Sequence, residues 1–319
     1  MSRWLLTGGA GYIGSHVARD LLASGREVVI LDDLSTGLRE RVPADAELVV
    51  ASVLDTDAVR RALEGVTGVV HLAAKKAVGE SVEQPLLYYR ENVGGMISLL
   101  QAMQDVGTPC VVYSSSAAVY GEPPWSPISE DSPLAPLSPY GETKVIGEWM
   151  VRDSAVARPP QAPLSWAALR YFNVAGAGAP ELGDPSVNNL IPMVFRALDR
   201  GERPEVFGTD YPTADGSCIR DYIHVSDLSA AHVAAADLVE REIVGLALNV
   251  GTGTGASVLE VMDAVSAVVG RDVGAVMVGR RAGDPPELVA QVERSAEALA
   301  WSAQRTLADM VESAYAARR

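Results

Sequence analysis

The chain has 319 residues, 48% apolar and 21% charged, an ordinary globular composition that excludes disordered, collagen-like and disulfide-scaffold classes. Forty-one acidic against 26 basic side chains leave a formal charge of −15, which repels nucleic acid and anionic membrane alike, so neither is expected as a partner. At roughly 150 residues per domain, the length predicts one large domain or two smaller ones.

Residues 1–7 run straight into glycines and leave no room for the apolar region of a signal peptide. Nothing later reaches the ~18 uninterrupted apolar residues of a membrane helix. The two cysteines, Cys110 and Cys218, lack metal-ligand spacing and cannot build a disulfide framework, so a reducing, cytoplasmic setting without a metal site is expected.

In chain order, short apolar runs at 4–7, 28–31, 48–50, 69–72, 110–113 and 167–171 alternate with helix-period stretches at 13–23, 55–63, 83–105 and 140–157. The runs are almost continuously apolar, as strands of a parallel sheet covered on both faces should be. This predicts an α/β fold with a Rossmann-type doubly wound parallel sheet. After residue 171 proline and glycine become frequent over 176–185 and 201–216, and helices return at 188–198, 225–239, 258–269 and 306–317. A smaller mixed α/β substrate domain is expected there, its chain crossing back to the sheet around 220–224 and 247–250. The resulting division is 1–172 for the nucleotide-binding domain, joined by parts of 219–250, and mainly 173–319 for the substrate domain.

The first chemical signal is Gly8-Gly9-Ala10-Gly11-Tyr12-Ile13-Gly14, set between a strand and an amphipathic helix. Glycines there allow a tight turn and let backbone N–H groups and a helix N-terminus approach a pyrophosphate. Asp32 closes the next strand 24 residues after Gly8, near the spacing of a carboxylate that accepts from an adenosine ribose. That carboxylate would repel a 2′-phosphate, so NAD is expected rather than NADP.

The second signal is Ser114-Ser115-Ser116 at a strand's carboxyl end, followed by Tyr140 and Lys144, which share one helix face. Oxidising a secondary alcohol requires removal of its hydroxyl proton as hydride leaves, and a tyrosine of pKa ~10 needs nearby positive charge to serve as base. Lys144 is expected to supply that charge, and Ser116 to hold the substrate oxygen. His71 and Cys110 read as core residues, whereas for Arg220 with Asp221 a surface ion pair is the weaker alternative to a functional role, and for Arg280 with Arg281 an ordinary charged loop is an equal one.

With these residues the sequence resembles the extended short-chain dehydrogenase/reductase superfamily, and more narrowly its UDP-hexose 4-epimerases of the UDP-galactose 4-epimerase type. The stretches that carry the likeness are 7–16, Lys76-Ala77-Val78-Gly79-Glu80-Ser81, 114–121, Ser138-Pro139-Tyr140-Gly141, Arg170-Tyr171-Phe172-Asn173, Asn188-Asn189-Leu190 and Arg220-Asp221-Tyr222-Ile223-His224-Val225. The resemblance implies an NAD that takes hydride from carbon 4 of a UDP-sugar and returns it to the opposite face after the 4-keto sugar has rotated. Tyr140 would abstract the 4-hydroxyl proton, Ser116 would steady that oxygen, and Lys144 would hold Tyr140 ionised and touch the nicotinamide ribose.

By motif position the resemblance assigns cofactor contacts to Gly8, Gly11, Tyr12, Ile13, Gly14, Asp32, Asp33, Leu34, Ser35, Thr36, Gly37, Ser52, Val53, Leu72, Ala73, Ala74, Lys76, Asn92, Ser114 and Phe172, beside Tyr140 and Lys144. It assigns substrate contacts to Lys75, Lys76, Ser116, Tyr140, Phe172, Asn173, Asn189, Leu190, Val206, Phe207, Arg220, Tyr222, Arg281, Asp284 and Leu288.

Three positions depart from the family pattern. Ser52 stands where an aspartate commonly receives the adenine amino group, Leu288 stands where relatives vary beside the sugar, and Lys75 adds a cation before Lys76. Lys75 either points to solvent or, paired with Lys76, accepts a carboxylate at carbon 6 of a UDP-uronate. A dehydratase would be expected to place acids after Ser115, and Ser116-Ala117-Ala118 has none. A uronate decarboxylase shares the oxidation at carbon 4 and differs in its product, while a non-catalytic NAD sensor would have little need of Ser116, Tyr140 and Lys144 together. The long helices at 83–105 and 140–157 carry surplus apolar surface, and relatives pack such helices into a four-helix bundle, so a homodimer is expected.

Overall fold

The structure, a computed structural model, describes residues 2–186, 188–280 and 284–318. The first half contains β1 (Arg3–Thr7), α1 (Tyr12–Ala23), β2 (Glu27–Asp32), β3 (Glu47–Val50), α2 (Thr56–Ala62), β4 (Gly68–His71), α3 (Val78–Glu83), α4 (Pro85–Tyr88), a π-helical turn (Tyr89–Gly94), α5 (Gly95–Val106), β5 (Cys110–Ser114), α6 (Pro139–Ala157) and β6 (Ser165–Tyr171). The second contains β7 (Asn173–Ala175), α7 (Leu190–Asp199), β8 (Glu205–Phe207), β9 (Ile219–His224), α8 (Val225–Arg241), β10 (Gly245–Val250), β11 (Gly255–Ser257), α9 (Val258–Val269), β12 (Val276–Val278), β13 (Glu287–Leu288), α10 (Glu293–Leu299) and α11 (Leu307–Ala316).

Seven parallel strands form the main sheet in the order β10, β6, β5, β4, β1, β2, β3. Period-two alternation divides its side chains between two cores. Trp4, Leu6, Ile30, Val70, Val112 and Leu169 face one side and pack on Val17 and Leu21 of α1 and on Leu228, Ala231 and Ala235 of α8. Leu5, Val29, Leu31, Val69, Val111 and Ala168 face the other, against Val59 of α2, Leu99 and Met103 of α5 and Val151 of α6. Both faces are covered, which is why the strand sequences are apolar throughout.

The stretch 83–105, expected as one helix, is broken. Pro85 opens α4 and restricts the residue before it, so Gln84 lies outside the helical region at φ −131° and ψ 58°. The π-helical turn then separates α4 from α5. Helix α6 starts where the chain instructs it to: Ser138 accepts from the Gly141 amide at 3.2 Å and Pro139 occupies the first turn. That start places Tyr140 in the first turn and Lys144 one turn further along.

The expectation that 220–224 rejoins the main sheet is corrected: β9 is the centre of a second sheet, paired with β7, β11 and β13, and only β10 crosses back to lie beside β6. The second sheet sits with α7, α9 and α11 around a third core containing Phe195, Val206, Tyr222, Val261 and Met310. Asp221, fully buried on β9, accepts four hydrogen bonds, from the Thr252 amide and hydroxyl and the Gly253 and Ala290 amides. One carboxylate thereby joins β9 to the loop after β10 and to the segment after β13, so the second sheet is fastened to the main one. Asp221→Ala leaves those donors buried and unpaired, and a loss of about 3 kcal/mol is expected in chemical denaturation; an unchanged midpoint would show the knot to be dispensable.

Candidate active site

Strands β1 and β4 are neighbours from which the chain departs in opposite directions, and the crevice beyond their carboxyl ends is where ligands of such sheets bind. Two glycines allow the backbone to close tightly there. Gly8 has φ +74°, and a Cβ on it would lie 2.8 Å from the Ala73 nitrogen; a Cβ on Gly14 would lie 2.2 Å from the Gly8 carbonyl oxygen. Gly11 caps α1 without any side chain, so the first-turn amides of Tyr12, Ile13 and Gly14 point at the crevice. Asp32 holds its carboxylate rigidly beside them, accepting at 2.9 Å from both the Ala10 and Leu34 amides. Burial raises its pKa above the usual carboxylate value, although both hydrogen bonds oppose the rise. A glycine cradle, an uncapped helix start and an oriented acid fit a dinucleotide.

Around this cradle, Asp33 accepts from the Ser35 amide and hydroxyl, Ser35 and Thr36 are exposed, and Gly37 packs against the Asp32 carboxylate. The Ser52 hydroxyl accepts from the Leu54 amide at 3.2 Å. Leu72 and Ala73 follow β4 beside Gly8, with Ala74 and Lys76 exposed and Lys75 half-buried.

Several side chains singled out from the sequence are otherwise engaged. The Tyr12 hydroxyl turns away to donate to the Gly176 carbonyl at 2.6 Å, leaving its backbone amide for a ligand. Asn92, in the π-helical turn, accepts from the Lys75 amide at 2.8 Å and donates to the Lys75 carbonyl and the Thr143 hydroxyl, each at 3.0 Å. Both donors of its amide are consumed, so Asn92 anchors the lysine loop to α6 and has no N–H left for a cofactor. Val53 and Val206 belong to the cores, and Ile13 packs against one.

At the end of β5 three consecutive serines engage different elements. The Ser114 carbonyl accepts from Lys144 Nζ at 2.7 Å, while its hydroxyl meets His232 of α8 at 2.8 Å. Ser115 donates to Glu148 at 2.5 Å. Ser116 accepts from the Ala118 amide at 3.2 Å and stands near enough to the Tyr140 hydroxyl to influence its pKa. Burial pushes the Tyr140 hydroxyl above the ordinary tyrosine value, and Ser116 pulls it back.

Lys144 is 3% exposed, with Nζ 5.1 Å from the Tyr113 ring centre and 5.8 Å from that of Tyr140. Burial lowers it to about 8, against the opposing pull of Glu148. His71, stacked on Tyr113 and bonded to Thr7 at 2.7 Å, is lowered by burial to about 3 and is a neutral wall of the crevice.

On the opposite side, Arg220 of β9 pairs with Asp284 at 2.5 Å, and Leu288 lies across from Arg220 in the β13 register. Leu288 shares an apolar cluster with Phe172, Val119 and Tyr120, which brings it to the Ser116 turn. Exposed Asn173 pairs in register with buried Tyr222. Asn189 donates to Asp184 at 2.6 Å at the start of α7, where Leu190 follows, and Phe207 ends β8. Arg281 lies outside the described residues.

A family model described as the NAD dependent epimerase/dehydratase family matches residues 4–251. The chain belongs to this family. A UDP-glucose 4-epimerase of Azospirillum brasilense is 46% identical over 306 residues, covering 94% of this chain and 86% of the relative. Among solved structures, a UDP-glucose 4-epimerase from Stenotrophomonas maltophila with bound NAD and formylated UDP-arabinopyranose superposes with TM-score 0.95 at 37% identity, covering 99% and 98% of the two chains. The Brucella ovis UDP-glucose 4-epimerase in complex with NAD gives 0.93 at 42% identity, covering 98% and 97%.

Sequence reasoning missed several residues that shape this epimerase/dehydratase-family site, namely Ser115, Glu148, Arg170 and Tyr120. Glu148 was the most accessible of them, because it stands four residues beyond Lys144 on the same face of α6. Lys144 is expected to lose its proton as pH rises through about 8. An unfolded lysine keeps its proton to ~10.4 and so binds more protons between those values, which means this group's contribution makes the fold more stable as pH rises across that window. Lysine-selective NMR titration of wild type and Lys144→Met measures it; a side chain still charged at pH 10 would contradict the assignment.

Proposed function

We propose that the chain is an NAD-dependent UDP-glucose 4-epimerase that interconverts UDP-glucose and UDP-galactose. The observation that carries this reading is the convergence of Ser116, Tyr140 and Lys144 at the sheet edge adjoining the glycine cradle, in a chain that matches UDP-glucose 4-epimerases over nearly its whole length. The Gly8 to Gly14 turn and the Asp32 carboxylate would hold NAD, which when bound in its oxidised form would supply the hydride acceptor and a positive charge. Tyr140 takes the proton of the 4-hydroxyl, and Ser116 fixes that oxygen by hydrogen bonding. Positive charge in the site offsets the burial that otherwise keeps Tyr140 protonated. The keto sugar then rotates and is reduced on its other face, with Tyr140 returning the proton.

The same reading gives the diphosphate to Arg220 and Arg281, its uridine to the Asn189, Leu190 and Phe207 region, and the hexose to the space between Ser116, Phe172, Asn173 and Leu288. It assigns NAD to residues 1–172 with parts of 219–250, and the UDP-sugar mainly to 173–319. Two buried free cysteines suit a reducing cytoplasm. Val78, Val82, Leu86, Ile97, Trp149 and Val156 expose apolar surface on α3, α4, α5 and α6, and a second copy of the chain covers it in a homodimer.

Incubation with UDP-glucose is expected to yield UDP-galactose by proton NMR, and Tyr140→Phe to lose ~10²-fold or more in kcat while still binding NAD. Full activity in Tyr140→Phe would remove Tyr140 from the chemistry. UDP-glucuronate in a parallel tube tests the carboxylate reading of Lys75 and Lys76, with an epimer supporting it and a pentose pointing to a decarboxylase. Light scattering should give twice the chain mass at micromolar concentration, and a monodisperse monomer would refute the dimer.

A further inference from the structure

Behind the Ser116, Tyr140 and Lys144 group lies a buried polar cluster for which none of those roles accounts. Glu148 and Arg170 form an ion pair in which both side chains are 6% exposed. Arg170 Nε donates to Glu148 Oε1 at 2.9 Å and Nη2 to Oε2 at 2.6 Å, the fork-to-fork arrangement that leaves a carboxylate no rotational freedom. Arg170 is held in turn by donating to the Tyr120 hydroxyl at 2.9 Å and the Glu130 carbonyl at 3.0 Å, and Tyr120 donates to Asn249 at 2.6 Å. Into this fixed carboxylate Ser115 donates its hydroxyl at 2.5 Å.

Burying two charges is costly, and an apolar pair of similar volume would serve packing at least as well. The cluster is therefore better explained by what it holds. Ser115 sits between Ser114, whose carbonyl receives Lys144, and Ser116, which lies beside the Tyr140 hydroxyl. Glu148 sits one turn beyond Lys144, on the helix that carries both.

We infer that Glu148 is a positioning residue: clamped by Arg170, its carboxylate grips the Ser115 hydroxyl and locks the Ser114 to Ser116 end of β5 against the face of α6 that bears Tyr140 and Lys144. The inference rests on the epimerase reading for its kinetic consequence only. Its electrostatic consequence stands apart from activity. Lys144 faces Tyr140 and Glu148 on its own helix, Tyr113 on β5 and His71 on β4, while from β6 Arg170 pairs with Glu148 and Tyr171 interacts with Tyr140. Of these, Glu148 is the negative charge that opposes the lowering of Lys144 by burial.

Two variants separate geometry from charge. Ser115→Ala removes the grip and leaves the charges; Glu148→Gln keeps an acceptor for Ser115 and removes the negative charge. In Ser115→Ala, kcat for UDP-glucose epimerisation is expected to fall roughly 10- to 100-fold with KM little changed, since ångström-scale misplacement of reacting groups costs about that much. In Glu148→Gln, the Lys144 titration followed by NMR without substrate is expected to move to lower pH, and the alkaline limb of kcat with it.

Ser115→Ala with wild-type kcat, or a folded Glu148→Gln with an unmoved Lys144 titration, overturns the inference. If Glu148→Gln fails to fold, the kcat of Ser115→Ala decides. If wild type itself yields no epimer, the reading of function fails, and the Lys144 titration in Glu148→Gln still decides the inference.

Discussion

The hydrogen bond from the buried Lys144 ammonium to the Ser114 carbonyl joins the end of a central strand to the helix carrying Tyr140, and the neighbouring side chains are arranged around it. A carbonyl at the end of a strand has no partner in the sheet beyond it and must find one elsewhere. Here it finds a charged donor, which is stronger than a neutral one and brings α6 to a fixed height above the sheet. The Ser138 cap and Pro139 then determine that Tyr140 stands in the first turn of that helix, facing the crevice. The serine run is thus a structural joint as much as a chemical motif, with the Ser114 carbonyl, the Ser115 hydroxyl and the Ser116 hydroxyl each fastened to a different group.

The cost of that joint is desolvation. Lys144, Tyr140, Tyr113 and Tyr171 are all buried or nearly so, and burial moves each toward its neutral form. Burial thus favours the protonated form of Tyr140, brings the Lys144 titration down to about 8 and favours neutral His71. The Glu148 and Arg170 pair supplies the rigid backing, since a buried carboxylate held by both of its oxygens cannot follow thermal motion of the loop above it.

The nucleotide and sugar ends are built on different principles. The cradle at β1 and α1 is made of backbone, with Gly8 and Gly14 leaving no space for a side chain, and its geometry is set by the main sheet. The opposite wall is a small sheet centred on β9, fastened through Asp221 to loops that leave the main sheet. The Tyr12 hydroxyl adds a further tie across the crevice, from the first turn of α1 to the Gly176 carbonyl.

The sequence by itself marked the main-sheet strands in their order along the chain, the glycine turn after β1, Asp32 at the end of β2, the serine run at the end of β5 and the shared face of Tyr140 and Lys144 on α6. These signals are local: apolar runs report burial on both faces, glycines report close approach, and a four-residue spacing reports a shared helix face. Tertiary structure alone decided the rest. Periodicity marks a face as apolar without naming what covers it, so β9 could be recognised as a strand but not assigned to the second sheet. The engagement of Asn92 depended on Lys75 and Thr143, residues distant in sequence, whereas the break at Gln84 follows from the adjacent Pro85 and was legible in the sequence. Glu148 likewise acquires its place only where β5, β6 and α6 meet, because a hydrogen bond between Ser115 and Glu148, 33 residues apart, exists only after the strands have paired.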